Sequence, residues 1–276
     1  MRFMRRRSDF PRTADAALAA FGIGLRQAFA AWPVLMGRAL FYLVVMAILA
    51  ALWDKVTAAH LPGTLAAHLP EGALTLYVGV TEWITLSVSA IHLRLEDDIR
   101  SGALEPQLLR PKPYLAQRIS ESLGGAAARL IVLAIAGIAL LVLSGRPQPP
   151  LLAFMYVAVL GVLGCAIGVL LFTFAGLSAF WIRRVLPPYL IVQKLTFLLG
   201  GLFAPISLYP RWLFRFALAT PFAAHTFFAG VQIIAPSERF FFFGIGLEVL
   251  WIIALSALIA LLWRRGLARL LREGSP

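Results

Sequence analysis

Six apolar runs, each close to the length that crosses a lipid bilayer, constrain this 276-residue chain more than any other feature. A hydrocarbon core about 30 Å thick needs roughly 20 consecutive apolar residues in a helix. The runs lie at about 33–53, 73–93, 126–143, 151–180, 189–203 and 240–263. Apolar residues make up 61% of the chain and its mean hydropathy is +0.85, both well above a soluble domain. The expected fold is all-α and integral to the membrane: six transmembrane helices in one domain over 1–276.

Two segments depart from this pattern. Residues 206–234 are apolar, but Pro210, Arg211, Arg215 and Pro221 interrupt them. They predict two short re-entrant half-helices at the outer side, between spans five and six. Residues 14–32 place Leu18, Phe21, Leu25, Phe29 and Trp32 at near-helical spacing, with Arg26 and Gln27 off that stripe. They predict an amphipathic helix along the inner interface, the alternative being an inward extension of span one. Gly164 and Gly168 have the small-xxx-small spacing that lets helices approach closely. The single cysteine, Cys165, falls in the same run and is expected to pack. The basic residues 1–10 have no following apolar region with a cleavage site, so no removable signal is expected.

The formal charge of +12 falls between the apolar runs. There it sets topology and meets lipid headgroups, and a nucleic-acid partner is not expected. With the N-terminus inside, 19 of the 25 Lys and Arg residues fall on the inner side. Only Lys55, Arg146, Arg211, Arg215 and Arg239 fall outside, and Arg38 starts span one. Both termini and the 94–122 loop are therefore expected in the cytoplasm. Arg129 and Lys194, near inner span ends, are expected to snorkel.

Several chemistries find no residues. The chain has no Gly-Lys dipeptide, hence no P-loop, and no GxSxG. His60, His68, His92 and His225 show no metal-ligand spacing. No TVGYG-like filter is present. No metal, no cofactor and no catalytic residue is expected on this chain. Two carboxylates, Glu82 and Glu248, fall roughly 12–15 Å into their spans, with Thr81 and Thr85 beside Glu82. A carboxylate at that depth is paired, neutral or wetted. Two readings stand: a structural hydrogen bond or ion pair, or a pathway for a cationic or polar substrate.

The polar insert at 96–111 lies between two spans and is too charged for lipid. Its run Asp98-Ile99-Arg100-Ser101-Gly102-Ala103-Leu104-Glu105-Pro106-Gln107-Leu108-Leu109-Arg110-Pro111 resembles the E-x-x-x-G-x-L-E-x-x-L-x-x-x-P loop of ABC-2-type permeases. The Leu-Leu-Arg-Pro ending resembles the six-span subgroup that includes proposed viologen and drug exporters. Downstream, Gly201, Pro205, Pro210 and Trp212 fit the family's G-x-x-x-P-x-x-x-x-P-x-W stretch at the outer re-entrant turn. Asp98 stands where many members have Glu. Pro106 follows Glu105 unusually closely and predicts a break in the loop helix.

The resemblance implies the transmembrane subunit of an exporter in the bacterial inner membrane. Asp98, Arg100, Gly102, Glu105 and Arg110 would form a coupling helix docking on a separate P-loop ATPase, which would bind ATP and Mg. Two ATPase copies and a second permease, identical or related, would complete the unit. A hydrophobic or cationic drug-like substrate fits the subgroup. The alternative is a non-transporting membrane anchor for a cytoplasmic partner. A secondary transporter would call for an inverted repeat, which the sequence does not display.

Overall fold

Eleven α-helices and no strand occur among the described residues, 9–58, 72–109, 113–145 and 148–273 of a computed structural model. They are α1 (Asp9–Ala30), α2 (Trp32–Ala58), α3 (Ala73–Ser87), α4 (Ile91–Arg100), α5 (Leu104–Leu108) and α6 (Tyr114–Leu143). After these come α7 (Leu151–Leu177), α8 (Leu186–Leu199), α9 (Arg211–Leu218), α10 (Pro221–Ile234) and α11 (Glu238–Glu273). The fold is an all-α membrane bundle. Five apolar stretches are long enough to cross a bilayer: Trp32–Trp53, Ala73–Arg100, Tyr114–Leu143, Leu151–Phe180 and Glu238–Arg272.

The expected fifth span is shorter than a full crossing. α8 has 14 residues, about 21 Å, and ends at Gly200, whose Cβ would lie 2.4 Å from the Thr196 carbonyl oxygen and 2.9 Å from that of Phe222. α9 and α10 form the expected pair of half-helices, meeting at 105° across Ala219 and Thr220. Pro221 opens α10, where a proline's missing N–H costs nothing. Near its start, His225 lies against Gly164 and Gly168 at mid-α7. At its far end, Ile233 packs with Ala153 and Val157 at the start of α7. α10 therefore covers only half the bundle's height. It is also its best-buried helix, packed on α7, α3, α11 and α8.

Glycines set the close crossings. A Cβ on Gly164 would lie 2.3 Å from the His225 carbonyl oxygen, and one on Gly161 would lie 2.2 Å from the Trp83 ring. Cys165 is free and buried in the same interface. α1 ends at Ala30, with a turn at Ala31 before Pro33, and does not run unbroken into span one. It packs along the first half of α6, where Gly24 and Gly124 let the backbones almost touch. Leu18 and Phe29 of its apolar stripe, and Trp32 at the start of α2, stay exposed, free for lipid. Large exposed apolar side chains likewise cover α2, α6 and α11, for example Phe41, Ile135 and Ile253.

The second span breaks at Val88–Ala90 without proline or glycine. The carbonyls freed at the end of α3 find guanidinium donors on two other helices. Arg38 Nη1 donates to Leu86 O and Arg129 Nε to Ser87 O, each at 2.8 Å. Arg129 thus turns inward onto the broken helix end, where its positive charge also opposes the helix dipole. This corrects the expectation that it snorkels without a special role. Lys194 is exposed, 5.2 Å from the Phe197 ring centroid.

Candidate coupling and pathway sites

The 94–122 segment is mostly helical rather than an open loop. α4 prolongs the second span, turns at Ser101–Ala103, and hands over to the short α5. Gly102 makes that turn at φ +73°, a left-handed conformation that favours glycine, although open space surrounds it. Pro106 does not break a helix. It sits in the first turn of α5, where its missing N–H has no partner to lose. The fully buried Leu104 anchors α5 to the core, while Glu105 and Pro106 are exposed and Leu109 is 88% exposed.

Asp98 is not part of that exposed tip. Its carboxylate accepts from the Tyr114 hydroxyl at 2.5 Å and from Arg118 Nη2 at 2.8 Å, so it clamps α4 to the start of α6. Arg118 also meets Glu121 at 3.2 Å, and Glu121 meets Arg94 at 2.7 Å. The Tyr114 ring stacks on Trp263 of α11, with centroids 5.5 Å apart. Glu96 pairs with Arg100 at 3.4 Å and accepts the Val185 backbone N–H just before α8. Of the five coupling residues expected from the sequence, Arg100, Gly102 and Glu105 lie at the turn and Asp98 at its base. Arg110 lies outside the described residues. Tyr114, Arg118, Glu121 and Glu96 were missed. Arg118–Glu121 and Glu96–Arg100 are local pairs, but the contacts that tie separate elements together span 16 to 89 residues, and the alternation of Arg with Glu and Asp is the hint the sequence offers.

The pathway candidates are not gathered into one place. Glu82 is buried on α3, and Glu248 on α11 is 1% exposed with Oε2 unpartnered among the described residues. α3 packs mainly on α10, α2 and α6, and α11 on α7 and α10, rather than on each other. Thr81 donates to Leu202 O at 2.8 Å, and Thr85 donates to Thr81 O at 2.9 Å.

Thr81 belongs to the outer turn instead. Gly201, at φ +68°, has its carbonyl bonded by the Tyr77 hydroxyl at 2.8 Å, and Thr226 donates to Gly200 O at 2.7 Å. Residues 200–202 thus pin α8 to α3 and α10. Pro205 is buried and leads into the 3-10 turn Ile206–Leu208. Pro210 precedes α9, whose Trp212 is 71% exposed.

These features define a polytopic bundle with one protruding helical turn and a half-height helix at its centre. Residues 71–274, about three quarters of the chain, match the family described as ABC-2 family transporter protein. The chain belongs to that family and is an ABC-2-type permease, a transmembrane subunit of an ABC transporter. No curated protein matches it.

Proposed function

We propose that this chain is the membrane half of an exporter in the bacterial inner membrane, and that a separate P-loop ATPase docks on the α4–α5 tip. The supporting observation is the contrast between the tip and its base. Glu105 and Leu109 are exposed, whereas Asp98 below them is clamped to Tyr114 and Arg118. A push on the tip then moves α4 and the start of α6 together, and reaches α11 through Tyr114 and Trp263. ATP and Mg reside on the ATPase. The excess of Lys and Arg on the tip's side supports a cytoplasmic position for the tip and both termini.

Two ATPase copies and a second permease, a copy of this chain or a relative, complete the unit. A hydrophobic or cationic drug-like compound is the substrate class. The buried carboxylates Glu82 and Glu248 favour a cation. The test is co-purification of the chain with a P-loop ATPase, followed by ATP-driven flux of a lipophilic cation in proteoliposomes. Flux that stops with Glu105→Lys supports the reading. Unchanged assembly and unchanged substrate-stimulated ATP turnover in that variant would overturn the docking assignment. A stable complex without flux would instead indicate an anchor.

A further inference from the structure

A cavity of about 260 Å³ opens between α1, α2, α4 and α6, on the tip side of the break in the second span. Four guanidiniums line it, from Arg38, Arg94, Arg118 and Arg129, against one carboxylate, Glu121. Asp98 faces Arg118 from α4, so the surroundings remain cationic. Arg38 and Arg129 each use one nitrogen on the carbonyls of α3, and Glu121 engages Arg94 and Arg118. Donors are left over. Arg129 Nη2 and Arg118 Nε are buried without a hydrogen-bond partner among the described residues. Buried guanidinium nitrogens without acceptors are costly, and a tetrahedral oxyanion with several acceptor oxygens would satisfy them. Ser89, whose hydroxyl is bonded to that of Ser122, and the start of α4 lie on the same wall, which adds the positive end of a ten-residue helix.

Depth and surroundings indicate where such an anion comes from. The uninterrupted apolar stretch of α2 begins just after Arg38, and that of α6 just after Arg129. The cavity therefore lies at the level where the hydrocarbon ends and headgroups begin. Its α1–α2 rim includes Ala28, Ala31 and Val34, next to the exposed Phe29 and Trp32. That rim offers an apolar path for acyl chains attached to a bound headgroup.

We propose that this cavity binds a phosphate-bearing anion, supplied by the headgroup of an anionic phospholipid. The bound phosphate bridges α1, α2, α4 and α6, and so holds the interfacial helix and the broken span together at the base of the tip.

The test uses the purified full-length chain in detergent. Native mass spectrometry and thermal unfolding are run with phosphatidylglycerol, phosphatidylcholine or inorganic phosphate. Arg129→Gln risks unfolding because Arg129 also caps α3. Two milder variants carry the test: Arg94→Gln at the rim, and Ala28→Phe, which fills the cavity without changing charge. The expected result is retention and stabilisation by phosphatidylglycerol over phosphatidylcholine, weakened about tenfold in each variant. Stabilisation by inorganic phosphate, lost in both variants and without preference between the lipids, would keep the phosphate site and assign it a soluble ligand. Equal retention of both lipids with no response to phosphate would overturn the proposal. So would phosphatidylglycerol binding unchanged in both variants.

Discussion

Arg118 on α6 reaches Asp98 on α4 at 2.8 Å, and both side chains are largely buried. Tyr114, one turn earlier on α6, donates to the same carboxylate oxygen. Asp98 thus receives two donors from one helix and fixes the angle at which α4 leaves the bundle. Removing it leaves the Arg118 guanidinium with Glu121 alone and the Tyr114 hydroxyl without its acceptor. Asp98→Ala is expected to cost about 1.5–3 kcal/mol, as for hydrogen bonds to charged groups. Tyr114→Phe, which keeps the ion pair, is expected to cost about 1 kcal/mol. Thermal unfolding in detergent checks both. The functional signature is specific: Asp98→Ala keeps ATPase binding, because the tip is intact, but loses coupled transport.

The tip behaves in the opposite way. Glu105 and Leu109 point away from the bundle, so Glu105→Lys and Leu109→Asp are expected to shift stability by no more than about 0.5 kcal/mol. Each should weaken pulldown of the ATPase, since both side chains are exposed on the tip proposed to dock it. A variant that lowers both the unfolding temperature and pulldown would place its residue in the base rather than the tip.

These contrasts separate what the sequence discloses from what it hides. Hydropathy shows the long spans because lipid imposes a length on each one independently. Pro210, Arg211, Arg215 and Pro221 disclose the half-helices because each breaks a helix or resists lipid locally. Gly102 discloses its turn for the same kind of reason. The break at Val88–Ala90 is invisible by this route, since no local residue demands it. It is stabilised by Arg38 and Arg129, 48 and 42 residues from the carbonyls they cap. The stripe on α1 is legible, but its docking on α6 depends on two glycines a hundred residues apart. Asp98's clamp is hidden in the sequence because its partners, Tyr114 and Arg118, lie beyond the turn.

The glycine pair on α1 and α6 gives a sharp comparison within one helix. A Cβ on Gly24 would lie 1.9 Å from the Glu121 carbonyl oxygen, which is backbone and cannot rotate away. Gly24→Ala is expected to push α1 off α6 at a cost of about 1–3 kcal/mol. Nothing lies within 4 Å of the corresponding position on Gly22. Gly22→Ala is expected to be neutral or to stabilise by about 0.5–1 kcal/mol, since alanine loses less backbone entropy in a helix. Hydrogen exchange over residues 14–30 reads the outcome, with faster exchange only in the Gly24 variant.

Glu248 presents the same question in the middle of the bundle. It is 1% exposed on α11, with one carboxylate oxygen unpartnered among the described residues. An ionised carboxylate there forfeits its hydration without a compensating donor. Glu248→Gln keeps the shape, adds a donor and removes the charge, so it is expected to raise the unfolding temperature. Glu248→Lys places a longer cation in the same closed space and is expected to abolish folded protein. Transport then decides what the wild-type carboxylate does. If it serves a cationic substrate, the more stable glutamine variant loses flux of a lipophilic cation while ATPase assembly is retained. If it only packs, flux follows stability and does not fall.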